Sequence, residues 1–211
     1  MNTQALLAIV ASYLLGSIPA ALIAGKAKGV DLRKHGSGNL GATNVMRVLG
    51  TKIGITVFLF DMAKGGVPVY FLPRWAANAG GLSIDPALLG VLCGAAAIFG
   101  HVRPIYLKFG KGGKGVATAA GVFLALAPFQ AMTALLIFAV VLLVTGYVSL
   151  GSLTATAVLP ILLGATLGVR SPVFPISVVL AMFVFWTHRA NIARLRAGEE
   201  HRFGKKGKAK R

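Results

Sequence analysis

Residues 116–148 read VATAAGVFLALAPFQAMTALLIFAVVLLVTGYV, an almost wholly apolar run that is too long for one membrane helix of ordinary tilt. About 20 apolar residues cross a bilayer, so the run is expected to fold back once. Pro128 and Gln130 mark the turn, giving spans at 116–130 and 131–148. Outward from there, further apolar segments stand at 4–25, 53–72, 86–102, 153–169 and 173–188. The expected fold is all-α: one polytopic membrane domain over 1–211, a seven-transmembrane-helix bundle ending in a basic tail at 189–211. Gly16, Ser17 and Pro19 punctuate the first span and predict a kink. Gly90 with Gly94, and Gly164 with Gly168, predict close helix packing.

Composition points the same way. Of 211 residues, 56% are hydrophobic and only 13% charged, about half the charged share of a soluble domain. Net charge is +17, from 22 Lys+Arg against 5 Asp+Glu. In a soluble protein that excess would suggest nucleic acid. Here the basic residues lie between apolar runs and in the tail, so membrane lipids are the expected partner and nucleic acid is not. Cys93 is the only cysteine, which excludes an intrachain disulfide and thiol-based metal clusters. No basic residue precedes the first apolar run, so a retained first helix is expected rather than a cleaved leader.

Loop 26–52, loop 103–115 and the tail hold most of the Lys and Arg, whereas the alternate loops carry Arg74, nothing and Arg170. The positive-inside rule then puts the N-terminus outside and the C-terminus in the cytoplasm. That agreement needs an odd number of spans, which supports dividing 116–148.

Three polar stretches fall on the expected cytoplasmic face. The first, 34–52, holds Gly36, Ser37, Gly38, Asn39, Gly41, Thr43, Asn44 and Arg47, with 40–49 able to form a short surface helix. The second, 108–118, holds Gly112, Gly113, Lys114 and Gly115; the third, 187–194, holds His188 and Asn191 on one expected helical face. Glycines at 36, 38 and 41 match a dinucleotide fingerprint in letters, but no buried strand precedes them and no βαβ unit surrounds them. The loop at Gly113 is not a P-loop either, since Lys108 and Gly115 stand where that motif needs Gly and Ser or Thr. What remains is anion chemistry: glycines allow close backbone approach, and a Lys or Arg adds charge. Asp61 and Lys64, at i,i+3 within the second span, form either a structural ion pair or part of a site; His101, next to Gly100 at the end of the third span, is either a boundary residue or a weaker supporting candidate. No metal or cofactor is expected, because no cluster of acids or histidines has ligand spacing.

Together, the segment Ser37 to Arg47, Asp61 with Lys64, the segment Gly112 to Thr118, and His188 with Asn191 resemble the acyl-phosphate-dependent glycerol-3-phosphate acyltransferases, the PlsY family of the bacterial inner membrane. The resemblance implies transfer of a fatty acyl group from acyl phosphate to the 1-hydroxyl of sn-glycerol 3-phosphate. The products would be lysophosphatidic acid and inorganic phosphate, the first step of phospholipid synthesis. It implies a cytoplasmic-side active site in which Ser37, Arg47, Lys114, His188 and Asn191 are catalytic and Arg47 and Lys114 hold phosphate. Gly38, Asn39, Gly41, Thr43, Asn44, Gly112, Gly113, Gly115 and Ser152 would bind substrate, with Ser149 competing for the place of Ser152 and the glycines offering N–H donors. Asp61, Lys64 and His101 would give support. Members are thought to use the phosphate of the acyl phosphate as the base and to need no cofactor; a monomer is expected. The competing class is a transporter or channel for a phosphorylated metabolite, which would bind with the same residues. Transporters often carry internal repeats, and these three stretches differ from one another.

Overall fold

The computed structural model describes residues 3–80 and 83–203. Among them there is no strand; ten α-helices and one short 3₁₀ turn account for the ordered elements. Five helices are long and apolar enough to cross a bilayer, or six if the bent pair at the end of the chain counts as one span. The polarity of the fold is inverted in the way lipid demands. Leu143 and Val144 are 84% and 80% exposed, while Asp61, Lys64, Ser12, Thr118 and Ser177 are buried.

The chain divides into two compact units, Met1–Pro128 and Phe129–Arg211. In the first, α1 (Thr3–Gly16) and α2 (Ala20–Ala27) share one apolar run broken at Pro19, as the expected kink requires. Helix α3 (Ala42–Leu49) leads into α4 (Thr51–Asn78), which packs on α1, α3, α5 (Pro86–Val102) and α6 (Val116–Leu126). Small residues make these crossings close. A β-carbon on Gly65 would collide with the Thr118 carbonyl, one on Gly121 with that of Met62, and one on Gly16 with that of Ala97. Gly90 and Gly94 rest against Leu126 and Val122 of α6, so this pair does serve helix packing.

Several boundaries differ from the sequence expectation. Helix α4 runs past residue 72, through Pro68 and Pro73, both buried, so Arg74 is helical and stacks over the Tyr70 ring, 3.9 Å from its centroid. The 116–130 segment yields only the eleven residues of α6, about 16 Å of helix and half a hydrocarbon core. Ala127 breaks the run, and Pro128 opens the next helix rather than making the turn, because proline suits a first helical position.

The second unit contains α7 (Pro128–Thr145), α8 (Val148–Leu167), α9 (Val173–Thr187) and α10 (Arg189–Arg196). The uncharged link shrinks to 146–147, so Ser149 and Ser152 lie within α8. Gly151 packs on Phe138, and Gln130 Nε2 donates to Thr166 Oγ1 at 2.7 Å. Gly164 meets the Phe174 ring, but a β-carbon on Gly168 would face open space, and that residue instead ends α8 at φ 79°. The segment expected as a loose basic tail begins as α10 and turns back, with Phe203 N donating to Gly146 O at 2.7 Å. The rest of that tail, 204–211, lies outside the described residues.

Candidate active site

In the first unit, loop 28–41 is anchored at both ends by apolar side chains. Leu32 (0% exposed) and Leu40 (5%) sit in a core with Ala21, Val45 and Val57. Between these anchors the polar residues are held out. Asp31 takes two hydrogen bonds from the Arg33 guanidinium, at 2.9 and 3.0 Å, which with the Arg33 N–H hold its carboxyl down at about 2. Ser37 is exposed.

Asn44 decides the shape of this loop. It is 2% exposed; its Nδ2 donates to the Leu32 and His35 carbonyls at 3.2 and 3.1 Å, and its Oδ1 accepts from Ser37 N at 2.8 Å. Both amide donors are thereby used on the loop itself, so the geometry gives Asn44 a shaping role rather than direct contact with substrate. It also explains Gly36: at φ 62°, a β-carbon there would strike Asn44 Oδ1. Thr43 and Arg47 lie on α3 away from that buried edge, with Arg47 exposed in the last turn. The short helix expected at 40–49 forms as α3, with Asn44 turned inward beside Val45.

The second glycine stretch folds onto the end of α5. After the 3₁₀ turn Ile105–Leu107, the non-glycine residues Lys108 and Phe109 adopt left-handed φ of 51° and 59°, a local strain that helps return the chain. Gly112 N and Gly113 N then donate to the Val102 and His101 carbonyls at 3.0 and 3.3 Å. These two N–H groups, like those of Ser37 and Gly38, are spent within the fold rather than offered to an anion. The glycines instead permit close approach: a β-carbon on Gly113 would collide with the His101 ring and come within 3.0 Å of the Leu40 carbonyl oxygen. This contact brings the two glycine stretches of the first unit together. Lys114 follows at once, half-buried, and Gly115 then opens α6 without a side-chain cap. Helix α3 likewise starts at Gly41 without one, leaving Asn39, Gly41 and the α3 N-terminus beside Leu40.

In the second unit, His188 caps the start of α10, which carries Asn191, and its carbonyl accepts from Ile192 N at 2.9 Å. The chain bends by 59° at His188, between α9 and α10. The cause is local: Thr187 Oγ1 and His188 Nδ1 both bond the Val184 carbonyl, at 3.0 and 2.8 Å, competing with the helix for its last acceptors. A carbonyl only accepts, so Nδ1 carries the proton, and in the neutral ring Nε2 is the acceptor. His188 is 4% exposed.

Glu200 is the residue that sequence reasoning passed over. Its carboxylate accepts from Asn191 Nδ2 at 2.7 Å, Ser149 Oγ at 2.9 Å and Arg194 Nε at 2.7 Å. Burial pushes the Glu200 carboxyl up, but these three donors outweigh it and hold it below the ordinary glutamate range. The group therefore stays ionised through neutral pH and orients Asn191. Its only mark in the sequence is an acid in a strongly basic tail. Ser149 belongs to this network, while Ser152, one turn on, donates to the Val148 carbonyl at 2.9 Å.

A family model described as glycerol-3-phosphate acyltransferase matches residues 6–198. A glycerol-3-phosphate acyltransferase of Geobacter metallireducens is 50% identical over 94% of this chain and 97% of its own length. One of Thermus thermophilus is 44% identical over 99% of this chain and all of its own. The crystal structure of PlsY (YgiH), an integral membrane glycerol 3-phosphate acyltransferase in its glycerol 3-phosphate form, superposes with a TM-score of 0.84 at 42% identity, covering 95% of this chain and 96% of that one. A lysophosphatidic acid form of PlsY superposes at 0.81. With a match along nearly its whole length, the chain belongs to the glycerol-3-phosphate acyltransferase family.

Proposed function

We infer that this chain is an integral membrane acyltransferase that esterifies glycerol 3-phosphate to lysophosphatidic acid. The observation that carries the reading is near-complete likeness, at 42% identity, to a membrane acyltransferase solved with glycerol 3-phosphate. The donor is acyl phosphate and the acceptor is the 1-hydroxyl of sn-glycerol 3-phosphate. The hydroxyl oxygen attacks the acyl carbon, the carbon–oxygen bond to phosphate breaks, and inorganic phosphate leaves with the hydroxyl proton.

The side chains favour this route for the proton. Of the five acids, Asp31 pairs with Arg33, Asp61 with Lys64, Asp85 caps α5, Glu200 is held by three donors and Glu199 is exposed on the tail. Proton removal by carboxylate has little to draw on, and phosphate is already a good leaving group. Catalysis then rests on orientation and on charge stabilisation. Arg47 and Lys114 supply the cations for phosphate, and the starts of α3 and α6 add backbone dipoles. Ser37, His188 and Asn191 are assigned to the same reaction by the family resemblance.

The enzyme lies in the bacterial inner membrane with its N-terminus outside and its C-terminus, with the reacting groups, on the cytoplasmic side. Seven crossings count the short apolar helix α6, between Gly115 and Ala127, as one of them. The concentration of Lys and Arg in alternate loops supports the odd number.

The donor assignment is tested with purified protein, glycerol 3-phosphate and three donors of one chain length: acyl phosphate, acyl-CoA and acyl-carrier protein. Turnover with acyl phosphate alone is expected. Equal turnover with either thioester would refute the assignment.

A further inference from the structure

A polar cluster in the first unit has no part in the reaction as described. Lys64 Nζ lies 2.8 Å from Asp61 Oδ1 and donates to the Ile18 carbonyl at 2.8 Å. His101 Nδ1 stands 3.6 Å from the same carboxylate oxygen. All three are deeply buried: Asp61 is 2% exposed, Lys64 7% and His101 5%. A Lys–Asp pair could satisfy itself, and burying a third polar group beside it is costly unless that group has work to do.

The opposite edge of the His101 ring shows that work. Gly113 rests on Nε2 and Cε1 so closely that a β-carbon could not be added. The backbone at the same point holds the loop from beneath, through the His101 and Val102 carbonyls. A small cleft lined by Asp61, Lys64, His101, Leu40, Gly112 and Gly113 joins the cluster to both glycine stretches.

We propose that His101, steadied by Asp61 and Lys64, is a positioning residue for the phosphate-binding loop. Its imidazole is the floor on which Gly113 sits, and the height of that floor sets where Lys114 and the start of α6 stand. Asp61 and Lys64 hold the ring; neither touches substrate. This inference rests on the reading that Lys114 binds a substrate phosphate.

The test uses the full-length protein in lipid, with acyl phosphate and glycerol 3-phosphate each varied. Four forms are compared: wild type, His101→Ala, Gly113→Ala and the double variant. Misplacement of a binding group by about 1 Å can cost around 100-fold. His101→Ala is therefore expected to raise the KM of at least one phosphate substrate about tenfold or more, with kcat falling less. Gly113→Ala is expected to be worse, because its methyl group meets the ring. Adding His101→Ala to it should recover part of the loss, since the smaller side chain makes room. Unchanged KM values in His101→Ala, or a double loss equal to the product of the single losses, would overturn the proposal. If His101→Ala does not accumulate in membranes, His101→Gln carries the same test: raised KM supports the floor, unchanged KM removes it. Lys114→Ala separates the two levels. Near-wild-type turnover there sinks both the functional reading and this one, whereas an inactive Lys114→Ala beside a normal His101→Ala sinks only the positioning role.

Discussion

Lys114→Ala and Arg47→Ala are each expected to lower kcat by about 10² to 10³-fold, the usual loss when one preorganised charge-stabilising group is removed. The effect is electrostatic. Two anionic substrates must approach each other, and phosphate must leave with further charge, so each cation near the reacting groups lowers both barriers. Neither truncation hollows the core. Arg47 is exposed on the last turn of α3 and Lys114 is half-buried in a loop. Thermal unfolding in detergent should therefore stay close to wild type while initial rates collapse. A variant that keeps its turnover would remove that residue from the site.

The second large effect is on stability. Lys64→Met leaves the Asp61 carboxylate buried without its partner at 2.8 Å and removes the bond to Ile18 at the break between α1 and α2. Breaking a buried pair this way costs about 3–5 kcal/mol. The double variant Asp61→Leu with Lys64→Met removes both charges and restores apolar packing, so most of the loss should return. Thermal unfolding of the wild type, Lys64→Met, Asp61→Leu and the double variant checks this. A double variant as unstable as the sum of the singles would show that the pair is not coupled.

Much of the fold was legible because its signals are local. The stretch 86–102 forms α5 with the same bounds, since Asp85 accepts from the Ala87 and Leu88 N–H groups and Pro86 opens the helix. The break at Pro19 was legible for the same kind of reason. Helix α4 was not, because Pro73 reads as a stop in sequence but is buried in the fold facing Gly90 of α5. Packing there outweighs one lost hydrogen bond.

The site divides similarly. Glycines beside Arg47 and Lys114 announce anion chemistry by residue type alone. How each N–H is used is a tertiary matter, however, and sequence gave no hint that Gly112 and Gly113 donate to the end of α5. Nor could it show that Asn44 is turned inward, or that Glu200 reaches back to Asn191 and Ser149 across an intervening bend. Nor does the apolar run show that α9 ends at Thr187 and α10 sets off at 59° to it, a bend at which the side chains at 187 and 188 bond the Val184 carbonyl.

The most direct test of the central claim separates an enzyme from a carrier. Purified protein is reconstituted into liposomes with labelled glycerol 3-phosphate outside, and acyl phosphate is then added. One lysophosphatidic acid and one inorganic phosphate are expected for each acyl phosphate consumed, with no uptake of label into the lumen when the donor is omitted. Uptake of glycerol 3-phosphate without ester formation would contradict that claim.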